Sequence, residues 1–385
     1  MVSNIFTLKN FISGITLTVM LTLSYVIPKK NNCLAFLPHH NNGKFSGNLK
    51  YLYLYTVKHH KDLDCCWLTN VKTTHEDLLK NGYNSKLYKI YPCWSILRSK
   101  FIILDQTDAM LAFGRFKIIQ LWHGFGFKNI GFCDTIIRES YIKSIIHKAA
   151  FSKFSLIIAN CLFDHDKKIL SFQNQNVVIT GFPRNDIFLI NEDQKINYKM
   201  NMGLSNFKKI ILYAPTHRRV GFKNPFSEDF WKELQDWLIE SKNVFLIKRH
   251  PLDKNLVIPK DYPNILNASF IGDDIQELLC ITDILITDYS SVATDFLLTE
   301  KPILFYTYDL DDYQKTSHSL FCDLREVFPG PYIFNEQDLL SKIKDISWGD
   351  EKDYRSQYKN ILDRFYKFKD GESSKRIINQ ILELQ

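Results

Sequence analysis

Five apolar runs in this chain each end in a short polar cluster, and those clusters hold the residues best suited to chemistry. After Lys117–Leu121 comes Trp122-His123-Gly124-Phe125-Gly126-Phe127-Lys128, and after Val177–Thr180 comes Gly181-Phe182-Pro183-Arg184-Asn185-Asp186. Ile210–Ala214 runs into Pro215-Thr216-His217-Arg218-Arg219, and Val244–Ile247 into Lys248-Arg249-His250-Pro251. Ile284–Ile286 is followed by Thr287-Asp288-Tyr289-Ser290-Ser291. An imidazole titrates near neutral pH, so His123 and His250 suit proton transfer to or from an oxygen. Lys128, Arg184, Arg218, Arg219 and Arg249 suit the negative charge of a pyrophosphate. Ser290 and Ser291 stand where a helix begins, and their hydroxyls with the first backbone N–H groups can hold a phosphate or simply cap the helix. Gly124 lets the backbone turn tightly or approach a ligand closely. A single histidine would carry little weight. Five such endings on apolar runs point to one site for a nucleotide-activated, anionic substrate.

Other chemistries are excluded by what is missing. There is no GxxxxGK[ST] loop, no GxGxxG, no HExxH and no GxSxG. Asp62-Leu63-Asp64 and Asp309-Leu310-Asp311-Asp312 could hold a divalent ion, but such pairs read more simply as solvated loop charges. No metal and no cofactor is expected. The net charge of +7 is spread over several small clusters, which favours anionic substrates or an anionic membrane surface. Without an arginine-rich arm or zinc-finger spacing, nucleic acid is not an expected partner. The eight cysteines form no CxxC pair and read as scattered reduced thiols, consistent with a cytosolic site of action.

The elements that must position these residues follow from the apolar pattern. Strands are predicted at Leu49–Thr56, Cys65–Thr69, Lys86–Tyr91, Phe101–Leu104, Lys117–Leu121, Leu156–Ala159 and Val177–Thr180, then at Ile210–Ala214, Val244–Lys248, Ile284–Thr287 and Pro302–Tyr306. Most are continuous apolar runs without alternation, as buried parallel strands require. Helical patterns fall between them at Thr74–Asn81, Glu139–Phe151, Glu228–Ser241, Ile275–Ile281, Val292–Leu298 and parts of Asp353–Leu384. Strand–helix alternation predicts an α/β fold of parallel sheets. The polar stretch Asn191–Ser205 reads as a linker between two halves, each a doubly wound sheet that binds ligand beyond its strand ends. The expected division is 1–30, a hydrophobic membrane-associating segment; 31–190 and 206–365, two Rossmann-like domains; and 366–385, a C-terminal helix. From Asn10 to Pro28 no residue is charged, with Lys9 and Lys29-Lys30 flanking. A membrane anchor, an interfacial helix and a signal peptide all fit that stretch, and the thiols oppose export.

Read in order, WHGFGFKNIG (122–131), GFPRND (181–186), YAPTHR (213–218), IKRHP (247–251) and DILITDYSSVATDFLLTEKPILFYTYDLDDY (283–313) resemble the CDP-glycerol glycerophosphotransferase family. These are the teichoic-acid-type primases and polymerases of bacteria. KFSGNLKYLYLY (44–55) is similar to the opening of the family's catalytic domain, so the resemblance spans about residues 34–370. Phe125 and Gly126 depart from the family, which carries a small residue and then proline there.

The resemblance implies a GT-B-like fold, two Rossmann-like halves facing across a cleft. It implies a donor, CDP-glycerol or CDP-ribitol, and an acceptor that is a lipid-linked or polymeric glycan, at the cytoplasmic face of the membrane. On that basis an acceptor hydroxyl attacks the β-phosphorus and CMP leaves. His123 would be the general base beside Trp122 and Gly124. His250 with Arg249 would assist the leaving phosphate, Arg184, Arg218 and Lys128 would meet the pyrophosphate, Pro215 and Thr216 would line the cytidine pocket, and Asp288, Ser290 and Ser291 would hold ribose or phosphate. A UDP-sugar glycosyltransferase on the same fold and a non-catalytic polymer-binding protein are the alternatives.

Overall fold

The computed structural model describes residues 2–38, 43–88, 96–108, 110–125, 129–134, 141–216, 218, 224–249, 256–271, 274–316, 328, 330–345 and 351–385. The chain divides into two compact units. The first comprises Met1–Gly124, Ile130–Asp186 and Glu372–Gln385, and the second Phe125–Asn129 and Ile187–Gly371.

The first unit is built on seven strands: β1 (Lys30–Leu37), β2 (Asp64–Thr69), β3 (Ser85–Leu87), β4 (Ser99–Leu104), β5 (Lys117–Gln120), β6 (Phe154–Ala159) and β7 (Val177–Ile179). Their order in the sheet is β3-β2-β1-β4-β5-β6-β7, and every pairing is parallel. The second unit repeats the plan with β8 (Ile210–Tyr213), β9 (Val244–Ile247), β10 (Ile265–Asn267), β11 (Ile284–Thr287), β12 (Ile303–Tyr306) and β13 (Tyr332–Ile333). Its order is β10-β9-β8-β11-β12-β13, again all parallel. Each sheet reverses direction at its first strand, between β1 and β4 and between β8 and β11. Ligands of doubly wound sheets bind at such reversals.

Burial explains the strand sequences. β8, β9, β11 and β12 are buried at every position, so apolar side chains fill both faces, and the Thr287 hydroxyl of β11 is satisfied by the Ala214 carbonyl at 2.7 Å. Helices cover the faces. Glu228–Ser241 buries Phe230, Trp231, Leu234 and Leu238, a helical stripe, and the Ser227 hydroxyl caps its start by accepting from Phe230 N at 3.2 Å. The plentiful aromatic residues fill both cores: Phe36, Phe45, Tyr53 and Trp67 pack ring on ring in the first unit, and Tyr213, Phe226, Phe230 and Trp231 in the second.

Three expectations are corrected. Leu49–Thr56 is not a strand but lies in the helix Gly47–His59, whose buried Leu49, Leu52, Tyr53 and Thr56 recur at helical spacing. The true neighbour of β2 is β1, whose buried half is Cys33–Leu37. Asn191–Ser205 is not an open linker. Asn191 forms a capping box with Gln194 and starts the helix Glu192–Asn201, which buries none of its residues and so shows no apolar stripe in sequence. Of the run Lys86–Tyr91, β3 accounts for Ser85–Leu87, and residues 89–91 lie outside the described residues.

The third correction concerns the uncharged N-terminal stretch. It forms the helix Val2–Val26, yet no helix among the described residues is long and apolar enough to cross a membrane. Its later turns pack on protein. Met20 is 1% exposed within the first unit's core, and Leu17, Leu21, Leu23 and Ile27 pack against the same cluster. Ser24 accepts a hydrogen bond from Arg115 N at 2.9 Å, and Tyr25 donates to the Phe113 carbonyl at 3.0 Å. Even the flanking Lys29 is used internally, donating to the Leu97 carbonyl at 2.6 Å. Met20→Ala should therefore destabilise the detergent-free protein by about 2–5 kcal/mol, as a buried large-to-small change does. Urea denaturation checks this, and an unchanged midpoint would show that the helix contributes nothing to the fold.

Candidate active site

In the first unit, β5 ends at Gln120 and the chain leaves the sheet by an unusual path. Trp122 has φ +57° and Gly124 φ +136°, both in the left-handed region. For tryptophan that conformation costs about 1–2 kcal/mol. The turn is pinned from both sides: Trp122 N donates to Gln120 Oε1 at 2.9 Å, and the Trp122 carbonyl accepts from Asn48 Nδ2 at 2.9 Å. The Trp122 ring stacks on His123 with centroids 4.7 Å apart and meets Phe172 edge-on at 5.5 Å.

His123 is half-buried, and its Nδ1 lies 3.3 Å from the carbonyl of Asp105, the residue after β4. When Nδ1–H donates to that carbonyl, the basic lone pair is on Nε2. Arg184, after β7, is 8% exposed and donates from Nη1 to the His123 carbonyl. Its own backbone N donates to Asn48 Oδ1 at 3.2 Å. Gly124 makes room for it, because a Cβ there would stand 2.0 Å from Arg184 Nη2. Arg184 thus supports the backbone of the histidine turn from within the protein.

Two carboxylates, Asp164 buried and Asp186 half-buried, stabilise the same end of this sheet. Asp186 accepts from Ser373 N and Ser374 N, each at 3.0 Å, and from the Ser374 hydroxyl at 2.8 Å, fixing the start of the helix Ser373–Glu383. Burial raises the Asp186 pKa, and those hydrogen bonds oppose the rise. Asp164 pairs with Lys168 at 2.9 Å, while Lys168 also donates to the Ile158 carbonyl and lies 4.7 Å from the Phe182 ring centre. Burial lowers the Lys168 pKa, and Asp164 acts against that.

In the second unit the loops after β8, β11 and β12 are tied by one set of charges. Asp288 is 2% exposed. Its carboxylate accepts from Thr216 N at 2.9 Å, the Thr216 hydroxyl at 2.6 Å and Tyr289 N at 2.5 Å, and pairs with Arg218 at 2.8 Å. Arg218 spans to Asp309, with Nε–Oδ2 at 2.6 Å, and donates to the Thr216 carbonyl at 2.6 Å. Its guanidinium lies 5.2 and 5.1 Å from the rings of Tyr289 and Tyr313, which stack on one another at 4.0 Å. Burial works against the Arg218 charge, but Asp288 and Asp309 outweigh it and raise its pKa. Next in the chain, Ser290 accepts only a long bond from Val292 N at 3.4 Å, and Ser291 makes no side-chain cap on the helix Val292–Phe296. Pro215 is buried, and Arg249 is half-buried and donates to the Leu256 carbonyl at 3.3 Å.

The structure therefore gathers Trp122, His123, Gly124 and Arg184 at one sheet end, and Thr216, Arg218 and Asp288 at another. Lys128, His217, Arg219 and His250 lie outside the described residues. Arg218, Asp288 and Thr216 were expected to meet substrate, but their polar atoms are engaged with one another. Sequence reasoning missed Asn48, Gln120 and Asp105, and it weighed Asp309 only as a possible metal ligand. Asn48 belongs to the KFSGNLK motif, immediately before the run assigned as a strand. No group of His, Cys, Asp and Glu side chains among the described residues could hold a metal ion.

Comparison with known proteins bears on what these sites serve. The family described as CDP-Glycerol:Poly(glycerophosphate) glycerophosphotransferase matches residues 19–383. The chain belongs to this family. Among its relatives is the teichoic acid ribitol-phosphate polymerase TarK of Staphylococcus aureus, 28% identical over 353 residues, covering 87% of this chain and 66% of TarK. The teichoic acid glycerol-phosphate transferase of the same organism is 28% identical over 397 residues, covering 98% of this chain and 99% of the relative. The chain thus spans just under two thirds of the one relative and nearly all of the other. A solved structure of the wall teichoic acid polymerase TagF shares the fold with a TM-score of 0.81 at 22% identity, covering 99% of this chain and 95% of that one. The resemblance carried by the sequence motifs is borne out.

Two variants test the geometry. Asp288→Ala leaves Arg218 buried beside one carboxylate and should destabilise the second unit by about 3–5 kcal/mol in urea denaturation. Gly124→Ala must displace Arg184 and adopt a left-handed φ. It should lower the melting temperature by several degrees, about 1–3 kcal/mol.

Proposed function

We propose that this protein transfers glycerol phosphate from CDP-glycerol to a hydroxyl of a poly(glycerol phosphate) or cell-surface glycan acceptor and releases CMP. The observation that carries this reading is the family match from residue 19 to residue 383, which runs through both units. The near full-length likeness to a glycerol-phosphate transferase supports it. CDP-ribitol is the second donor to weigh, because relatives of comparable identity are ribitol-phosphate polymerases.

The chemistry is one displacement at phosphorus. The acceptor oxygen forms a bond to the β-phosphorus, the pyrophosphate P–O bond breaks, and the electron pair leaves on CMP. Positioning and charge neutralisation dominate such a step. His123 takes the acceptor proton on Nε2, the atom left basic by the Nδ1 contact to Asp105. His250 and Arg249 serve the departing phosphate, and Lys128 meets the pyrophosphate charge. Ser290 and Ser291, weakly engaged with their own helix, offer hydroxyls to the donor. Arg184, Arg218 and Asp288 act from behind, holding the loops that carry those groups.

The acceptor chemistry favours a membrane surface as partner. The helix Tyr141–Phe151 leaves Tyr141, Ile142 and Ile145 exposed and also carries Lys143 and Lys148, a pattern that suits an anionic lipid interface.

Purified protein given CDP-glycerol and a poly(glycerol phosphate) primer should release CMP in step with chain extension. His123→Ala and His250→Ala should each lower kcat by about 100-fold or more. Near-normal turnover in both variants would remove them from acid–base roles, and faster turnover with CDP-ribitol would reassign the donor. Ile142→Asp with Ile145→Asp should abolish sedimentation with phosphatidylglycerol vesicles, and unchanged sedimentation would move the docking surface elsewhere.

A further inference from the structure

The turn that carries His123 is held by two buried amides that take no part in the chemistry above, and we infer that Asn48 and Gln120 are positioning residues that fix the aim and tautomer of His123. The inference rests on the reading of His123 as the base.

The residue before His123 is the strained one. Trp122 adopts φ +57°, which tryptophan does not choose without external constraint. Both of its peptide groups are held by side chains. Gln120 Oε1 accepts from Trp122 N at 2.9 Å, and Asn48 Nδ2 donates to the Trp122 carbonyl at 2.9 Å and to the Leu121 carbonyl at 3.5 Å.

Asn48 also reaches the far side of the histidine. Its Oδ1 accepts from Arg184 N at 3.2 Å, and the Arg184 guanidinium donates to the His123 carbonyl. The two amides are 1% and 0% exposed. Gln120 occupies the last position of β5, where an apolar residue would satisfy the core. Its Nε2 is buried without a hydrogen-bond partner, so the position gives up one donor to keep Oε1 on the turn. The result aims the ring so that Nδ1 meets the Asp105 carbonyl and Nε2 carries the lone pair.

The test compares turnover with folding. Asn48→Ala should lower kcat by about 10- to 100-fold while KM for CDP-glycerol stays within about twofold, because a displacement of about 1 Å at a catalytic group has that effect. Gln120→Met, nearly isosteric and therefore expected to fold, should act in the same direction. Asn48→Asp keeps the acceptor for Arg184 N but loses the donor to Trp122, and should resemble Asn48→Ala. Asn174→Ala is the control. Asn174 is also buried in the same unit but ties the Phe151 and Phe154 carbonyls, so its loss should lower the melting temperature and leave kcat unchanged. Histidine ¹⁵N shifts, assigned with His123→Gln, should show the Nδ1–H tautomer in the native protein and a mixture in the Asn48 and Gln120 variants. Folded Asn48→Ala and Gln120→Met proteins with kcat within about twofold of native and unchanged His123 shifts would overturn the inference. If Asn48→Ala does not fold, Gln120→Met decides. If the native protein releases no CMP, the base assignment falls, and the ¹⁵N shifts still decide whether the amides set the tautomer.

Discussion

A parallel sheet delivers every strand's C-terminal end to the same edge, and where the strand order reverses the loops on either side part. That constraint governs both units. In the first, the reversal lies between β1 and β4, and the residues that build the histidine turn come from the segments after β1, β4, β5 and β7. In the second, it lies between β8 and β11, and Thr216, Asp288 and Asp309 come from the ends of β8, β11 and β12. Sequence-distant residues meet because neighbouring strands all stop at one edge.

Burial then decides which polar groups must be paired within the protein. A carboxylate as enclosed as Asp288 is tolerable only with its oxygens satisfied, and three hydrogen-bond donors and an arginine satisfy them. Arg184 and Arg218 look like phosphate ligands by type, yet one supports a carbonyl and the other bridges two carboxylates. His123 and the serine pair are more exposed than these two arginines. In both units a buried polar network ties together the loops at the strand ends.

Much of this was legible in the sequence, and the failures have physical causes. Uninterrupted apolar runs gave most strands, because a strand covered on both faces favours apolar side chains at nearly every position. Their polar endings marked the sites by residue type. Leu49–Thr56 misled because its tyrosines favour strands, although Leu49, Leu52, Tyr53 and Thr56 already carried a helical period. The helix at Glu192–Asn201 was hidden because it buries nothing, and only its capping box announced it. The uncharged N-terminal stretch looked like a lipid-facing segment because a helix packed on protein and one packed in lipid need the same residues. What sequence could not supply is which polar groups are spent on one another. That depends on contacts such as Arg218 with Asp309 and Arg184 with Asn48, between residues far apart in the chain.

The helix Ser373–Glu383 belongs to the first unit, where it packs against Gly47–His59 and is fixed by Asp186. This has a consequence for biosynthesis. Domains ordinarily fold as units in the order in which they leave the ribosome. Here the first unit lacks a covering helix until residue 383 has been made, by which time the whole of the second has been synthesised. The order of completion is therefore inverted relative to the order of synthesis. A nascent chain halted after the second unit would leave that face of Gly47–His59 bare, a surface for a chaperone to guard until the helix Ser373–Glu383 arrives.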